Sequence, residues 1–149
     1  MLDLLSVPQQ RRESIERLAQ ELSAGRSVAI STHINADGDG CGSETALSRL
    51  LSQMGIRSRI VNPTPWPEMY KFLLGEDVKD ASDLGSKALK EADVLIVLDI
   101  SDVKRLGSLA ESVRRLKIPK LVIDHHLPSD EPPSSLMLTD VTACATGEL

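Results

Sequence analysis

Cysteine is scarce in this 149-residue chain: there are two, Cys41 and Cys144, in unrelated contexts and at no metal-ligand spacing. A thiolate metal site is therefore not expected, and the chain reads as a reduced, cytoplasmic protein. Long apolar runs are missing too, none approaching the roughly 20 residues of a membrane span, so no membrane partner is expected. The N-terminus lacks the basic-then-apolar pattern of a signal peptide. Basic residues are outnumbered 22 to 17, for a formal charge of -5. That balance removes the global positive surface on which a long nucleic acid would be held by counterion release. Any nucleic-acid substrate should be short, or gripped by a local patch. Aromatic residues number three, Trp66, Tyr70 and Phe72. Stacking a base on one of them would suit a nucleotide, but core packing or loop anchoring is the expected role.

What is present is a 41% hydrophobic chain, enough for one domain with a sizeable core over residues 1–149. Ile15, Leu18, Ala19 and Leu22 recur at helical spacing and predict a helix from Pro8 to Ala24. Apolar runs too short for helices follow at Ser27 to Ser31, Arg57 to Val61, Val94 to Leu98 and Lys120 to Ile123, with a further strand expected at Ser135 to Leu138. Between them helices are expected at Glu44 to Met54, Glu68 to Leu73, Ser82 to Lys90 and Ser108 to Leu116. The triple-proline segment Asn62 to Pro67 must be an ordered loop or lid, because proline removes backbone donors and fixes φ. Strands alternating with helices predict an α/β fold, a doubly wound, Rossmann-like, mostly parallel sheet with helices on both faces. The chain closes at Thr146 to Leu149 in what reads as the first turn of a helix, so a longer parent protein is expected.

The polar residues are distributed unevenly along this pattern. In an open parallel sheet, ligands bind beyond the carboxyl ends of the strands. Three of the apolar runs end there in acids or histidines: the first in His33, Asp37 and Asp39, the most hydrophobic in Asp99, and the fourth in Asp124, His125 and His126. These seven residues include every histidine of the chain. Four carboxylates crowded at one edge would repel one another unless cations sat among them. Oxygen and imidazole donors without thiolate suit Mn²⁺ or Mg²⁺. More donors are present than one ion with an open position needs, so two ions bridged by a carboxylate are expected, the machinery of phosphoester hydrolysis. The glycines at 38, 40 and 42 match neither the dinucleotide fingerprint nor the Walker A loop, and are read as letting the backbone turn around the ligands. Ser43 is read as the cap of the following helix. Lys104 and Arg105 either meet a phosphate or form a solvated helix start. Cys41 is read as a small buried residue.

His33-Ile34-Asn35-Ala36-Asp37-Gly38-Asp39 resembles the H-x-x-x-D-x-D motif of the DHH superfamily of phosphoesterases. Asp99 resembles its isolated second-motif aspartate, and Asp124-His125-His126 the signature for which it is named. The loop from Pro63 to Leu74 and the stretch from Asp140 to Leu149 are most similar to the RecJ-related branch of nanoRNase and 3′-phosphoadenosine 5′-phosphate (pAp) phosphatase enzymes. The resemblance implies two Mn²⁺ ions, with Mg²⁺ or Co²⁺ as substitutes. His33, Asp37 and Asp99 would hold one ion, Asp39, Asp99 and His125 the other. His126 would face the phosphate and Asp124 would orient a neighbour as a supporting residue. Implied substrates are short single-stranded oligonucleotides or small phosphorylated nucleotides, gripped by a C-terminal substrate domain of the parent. A further metal-binding aspartate of the family is not evident; Asp140, the nearest acid, stands where a structural turn is expected. Pyrophosphate, polyphosphate or a cyclic dinucleotide as substrate, or a metal- or nucleotide-binding module without catalysis, are the alternatives. Oligomeric state is not legible, and a homodimer stays open.

Overall fold

The computed structural model describes residues 7–23 and 25–149. Five strands, β1 (Ser27–Ser31), β2 (Arg57–Ile60), β3 (Val94–Leu98), β4 (Lys120–Asp124) and β5 (Leu136–Thr139), form one sheet in the order β2-β1-β3-β4-β5. Every pairing is parallel, which carries the sequence expectation one step further than mostly parallel. β1 and β3 are buried along their whole length because both faces of the sheet are covered. On one face α1 (Gln9–Ala19) and α2 (Gly38–Gln53) pack Leu18 and Leu51 against Val28, Ile30, Val94, Ile96 and Leu98. On the other, α3 (Ser86–Lys90) and α4 (Ala110–Arg115) pack Ala88, Leu89 and Val113 against Ala29, Leu95, Val97 and Val122. The alternation along β3 divides its five apolar residues between the two layers. Each large one, fully buried, contributes roughly 1.5–3 kcal/mol.

Three boundaries differ from the sequence expectation. The first helix stops at Ala19, where turns succeed it; Ala24, its expected end, lies outside the described residues. The second helix begins at Gly38 rather than Glu44, since Asp37, in extended conformation, accepts from the backbone N–H of Asp39 and Gly40 and caps it. Residues 38, 40 and 42 thus lie inside a helix rather than in a loop. A Cβ on residue 40 would stand 2.9 Å from Thr32 Oγ1, so glycine there lets α2 dock closely on the exit of β1. The helix expected from Ser108 starts at Val103 as a 3-10 segment to Leu109, interrupted at Gly107 with φ +49. The stretches Glu68–Leu73 and Ser82–Leu84 are likewise 3-10 turns.

The triple-proline segment is ordered. Trp66, 7% exposed, sinks into a small cluster with Ala36, Cys41, Ile60 and Val78 and pins the loop over the start of α2. Strand order reverses between β1 and β3, and in doubly wound sheets that crevice, at the carboxyl ends, is where ligands bind.

Candidate metal centre

Because β1, β3 and β4 are adjacent and parallel, their exits bring His33, Asp99 and the Asp124–His126 run to one edge, and the capped start of α2 adds Asp37 and Asp39. All seven residues singled out from the sequence are gathered there. Asp99 lies at the centre, 2% exposed and with φ +64, a left-handed conformation uncommon outside glycine. Such strained backbone clusters at functional sites. One carboxylate oxygen is 3.5 Å from His33 Nε2; the other is 3.6 Å from His125 Nε2 and 3.7 Å from His126 Nδ1. His33 Nε2 also lies 3.8 Å from Asp37, and His125 Nε2 lies 3.4 Å from Asp39.

The tautomers follow from the surroundings. His33 Nδ1 is 2.8 Å from the carbonyl of Ile34, and His125 Nδ1 is 3.2 Å from that of Ala143. A carbonyl only accepts, so each Nδ1 carries the proton and each Nε2 turns a lone pair toward the carboxylates. Two acceptors facing each other at 3.4–3.8 Å have no proton to share and make no hydrogen bond. The gap is less than roughly 4.2 Å, twice a metal–ligand distance of about 2.1 Å, so one cation fits between them. The Asp99 carboxylate raises the pKa of His33 above its ordinary value, against burial and the positive charge of Arg105.

Donor atoms within 4.8 Å of one another fall into two groups, His33-Asp37-Asp99 and Asp99-His125-His126, with Asp99 in both. No lysine or arginine pairs with Asp37, Asp39, Asp99 or Asp124 among the described residues. The donor set therefore fits a pair of hard or borderline divalent cations sharing one carboxylate. Asp39 stands at the edge of the second group, beside His125 but engaged by other donors. His126 enters that group through Nδ1, yet this atom is 2.7 Å from Asp124 Oδ1. That contact leaves Nε2 as the free nitrogen of a half-exposed ring. Asp124 is fully buried and also accepts from Ser101.

Several supporting residues escaped the sequence reading. Thr146 donates from Oγ1 to Asp99 at 2.9 Å and from its backbone N–H to Asp39 at 2.8 Å, and the Gly147 N–H reaches Asp39 at 3.3 Å. Only the fold brings residues 146 and 147 back to residue 39. Ser43 does not cap α2; it donates to Asp39 at 3.1 Å. Beneath the site Asn62 accepts from the Thr32 N–H and donates to Glu44, a fully buried carboxyl whose other oxygen has no partner among the described residues.

Asp140 is turned away from the centre, with Arg11 Nε at 2.7 Å and Thr142 in its turn, and its pKa is depressed to about 2 by Thr142 and Arg11. Arg105 is exposed and close to His33, whereas Lys104 stands 3.8 Å from Glu131. Cys41 is fully buried, and burial pushes its thiol up to about 12, as fits a small core residue. Trp66 packs in the core as expected, but Phe72 does not: it is 79% exposed.

The fold and the donor set together define an α/β protein with a carboxylate–imidazole cluster, a candidate metal centre, at its switch point. The chain belongs to the DHH family, whose N-terminal domain its residues 27–149 match. It is similar in fold to an exopolyphosphatase-related protein from Bacteroides fragilis, with a TM-score of 0.81 at 23% identity over 99% of this chain and 43% of that one. It also resembles the exonuclease RecJ bound to manganese, with a TM-score of 0.55 at 18% identity over 97% of this chain and 34% of that one. RecJ from Thermus thermophilus in complex with Mn²⁺ gives 0.55 at 20% identity over 96% of this chain and 19% of that one. This chain thus spans less than half the length of each of these neighbours. No helix among the described residues is long and apolar enough to cross a membrane.

Proposed function

We propose that this chain is the metal-holding portion of a cytoplasmic phosphoesterase that hydrolyses short single-stranded oligonucleotides from one end, or the 3′-phosphate of pAp. The observation that carries the reading is the sharing of Asp99 between two donor groups at the switch point of the sheet. His33, Asp37 and Asp99 would hold one ion, and Asp99 and His125 with Asp39 the other. Mn²⁺ is the first choice, with Mg²⁺ and Co²⁺ as substitutes. Bound there, the ions supply charge neutralisation for the phosphate and lower the pKa of the attacking water.

The protein's own groups set the rest. Asp124 accepts from His126 Nδ1 and fixes the ring, which leaves Nε2 free at the half-exposed edge; only the doubly protonated ring would donate from it to a phosphate oxygen or to the departing ester oxygen. Arg105, exposed at the rim near His33, adds a positive charge where a phosphate would arrive. Thr146 and Ser43 fix the carboxylates by donating to them. A C-terminal substrate domain in the parent protein, and a homodimer, belong to the same reading.

The same centre would serve pyrophosphate or polyphosphate, a second reading favoured by the 0.81 likeness to the exopolyphosphatase-related protein. The test is a substrate panel on the full-length protein with Mn²⁺: di- to pentanucleotides, pAp, pyrophosphate and polyphosphate. Turnover of the first two classes, reduced at least about 1,000-fold in Asp99→Ala, which is about 4 kcal/mol of barrier, is the expected result. No stimulation by any divalent cation, with Asp99→Ala unchanged, would sink it. Turnover of the condensed phosphates alone selects the second reading.

A further inference from the structure

Beside the candidate metal centre, the loop that carries Asp37 and the triple-proline loop flank an open concavity of about 380 Å³. Asn35 and Asp37 line one wall, and Pro65, Pro67, Met69 and Tyr70 the other. The size is within the usual range for small-molecule sites. Its walls are tied together, since the Asn35 N–H donates to Thr64 Oγ1 at 2.8 Å and Asn35 is held at φ +54. The far wall is rigid for a reason legible in the chain: prolines fix its backbone and Trp66 anchors it in the core. Tyr70 stands against the first turn of α2, its hydroxyl 3.4 Å from where a Cβ of residue 38 would be, which is ordinary van der Waals distance.

This region also keeps apolar side chains in water without any need of the fold. Met69 is 71% and Phe72 79% exposed, one at the mouth of the concavity and the other three residues on. No lysine or arginine lines the concavity among the described residues, and Lys71 nearby is paired with Glu68 at 2.5 Å. A second phosphate therefore has nothing to meet it, while proline, methionine and tyrosine surfaces suit a neutral flat ring. Asp37 belongs both to this concavity and to the first donor group. The concavity therefore borders the donor group at which a ligand's phosphate would sit.

We propose that the concavity between Asp37 and Tyr70 is a base-binding subsite, which receives the nucleobase of the nucleotide whose phosphate lies at the metal centre. The phosphate half of this statement rests on the phosphoesterase reading; the ring half rests on the concavity alone.

The test uses the chain with ¹³C-labelled methionine methyls and diamagnetic Mg²⁺, titrated with AMP, adenosine and ribose 5-phosphate; Met69→Leu assigns the resonance. The ring current of a base seated beside Met69 shifts its methyl with AMP and with adenosine, whereas ribose 5-phosphate leaves it in place. AMP is expected to bind roughly 5- to 100-fold more tightly than ribose 5-phosphate, and Tyr70→Ala to bring the two together without changing Mg²⁺ affinity. A Met69 methyl that neither AMP nor adenosine moves at millimolar concentration overturns the subsite, as does an AMP preference that survives the Tyr70→Ala, Met69→Ala double substitution. The two readings fail separately. Equal binding of AMP and ribose 5-phosphate in the presence of bound Mg²⁺ removes the subsite and keeps the metal centre. A Met69 shift with adenosine, beside phosphate binding that no divalent cation affects, keeps the subsite and removes the centre.

Discussion

The two donor groups that share Asp99 are supported in opposite ways. The His33-Asp37 side is assembled by neighbours: β1 and the cap of α2 follow directly on one another, and the Ile34 carbonyl that orients His33 is one residue away. The His125 side is assembled at long range. Its imidazole is oriented by the Ala143 carbonyl, and Asp39 and Asp99 are held by Thr146 and Gly147. That last segment is in turn clipped to α1 by Arg11, 2.7 Å from Asp140 and 3.2 Å from Glu148. One half of the centre therefore depends on the packed core, the other on a few hydrogen bonds made by the segment from Asp140 to Leu149.

The largest effect that would break this comparison comes from the paired substitutions His33→Ala and His125→Ala. Each should abolish one of two Mn²⁺ sites seen by calorimetry and leave the other, because each imidazole belongs to one group only. Loss of both ions from either variant would show that the two halves are not separable. A smaller effect is expected for Thr146→Val, which keeps the shape but removes the donor to Asp99. Hydrogen bonds to ligating groups are worth roughly 10- to 100-fold in metal affinity. The loss should appear in Mn²⁺ affinity with the melting temperature nearly unchanged, and an equal loss in both would make Thr146 a structural residue.

The same contrast explains what was legible in the chain. A continuous apolar run such as Val94 to Leu98 announces a strand buried on both faces, and its parallel neighbours follow from alternation with helices. Parallel strands must deliver their exits to one edge, so the convergence of His33, Asp99 and His125 needed no coordinates. What stayed hidden has a physical cause in each case. Asp37 is at once the helix cap and a member of a candidate donor group, which disguised the start of α2 as loop. The hydrogen bond from Thr146 to Asp39 joins residues 107 apart, a distance that no local pattern spans. The three aromatics shared one expectation, core packing or loop anchoring, but Trp66 alone takes the buried place and the 3-10 turn leaves Phe72 exposed.

The smallest effect concerns the core beneath the His33 side. Glu44 is fully buried, and desolvation raises its pKa well above the ordinary carboxyl range, with Asp80 and Asp99 adding to the effect and the hydrogen bond from Asn62 opposing it. Through Asn62 it braces the N–H of Thr32, the residue before His33. The folded state keeps a proton that the unfolded chain releases above its usual pKa. The stability this group contributes is therefore complete at low pH and declines as pH rises through the window between the two values. The decline is at most about 1.4 kcal/mol per pH unit. Glu44→Gln, which mimics the protonated acid, should match the native chain near pH 5 and melt progressively higher than it toward pH 8. A melting difference that stays constant across that range would mean that Glu44 is charged in the fold, and that the His33 side rests on an anion rather than on a neutral hydrogen-bonded core.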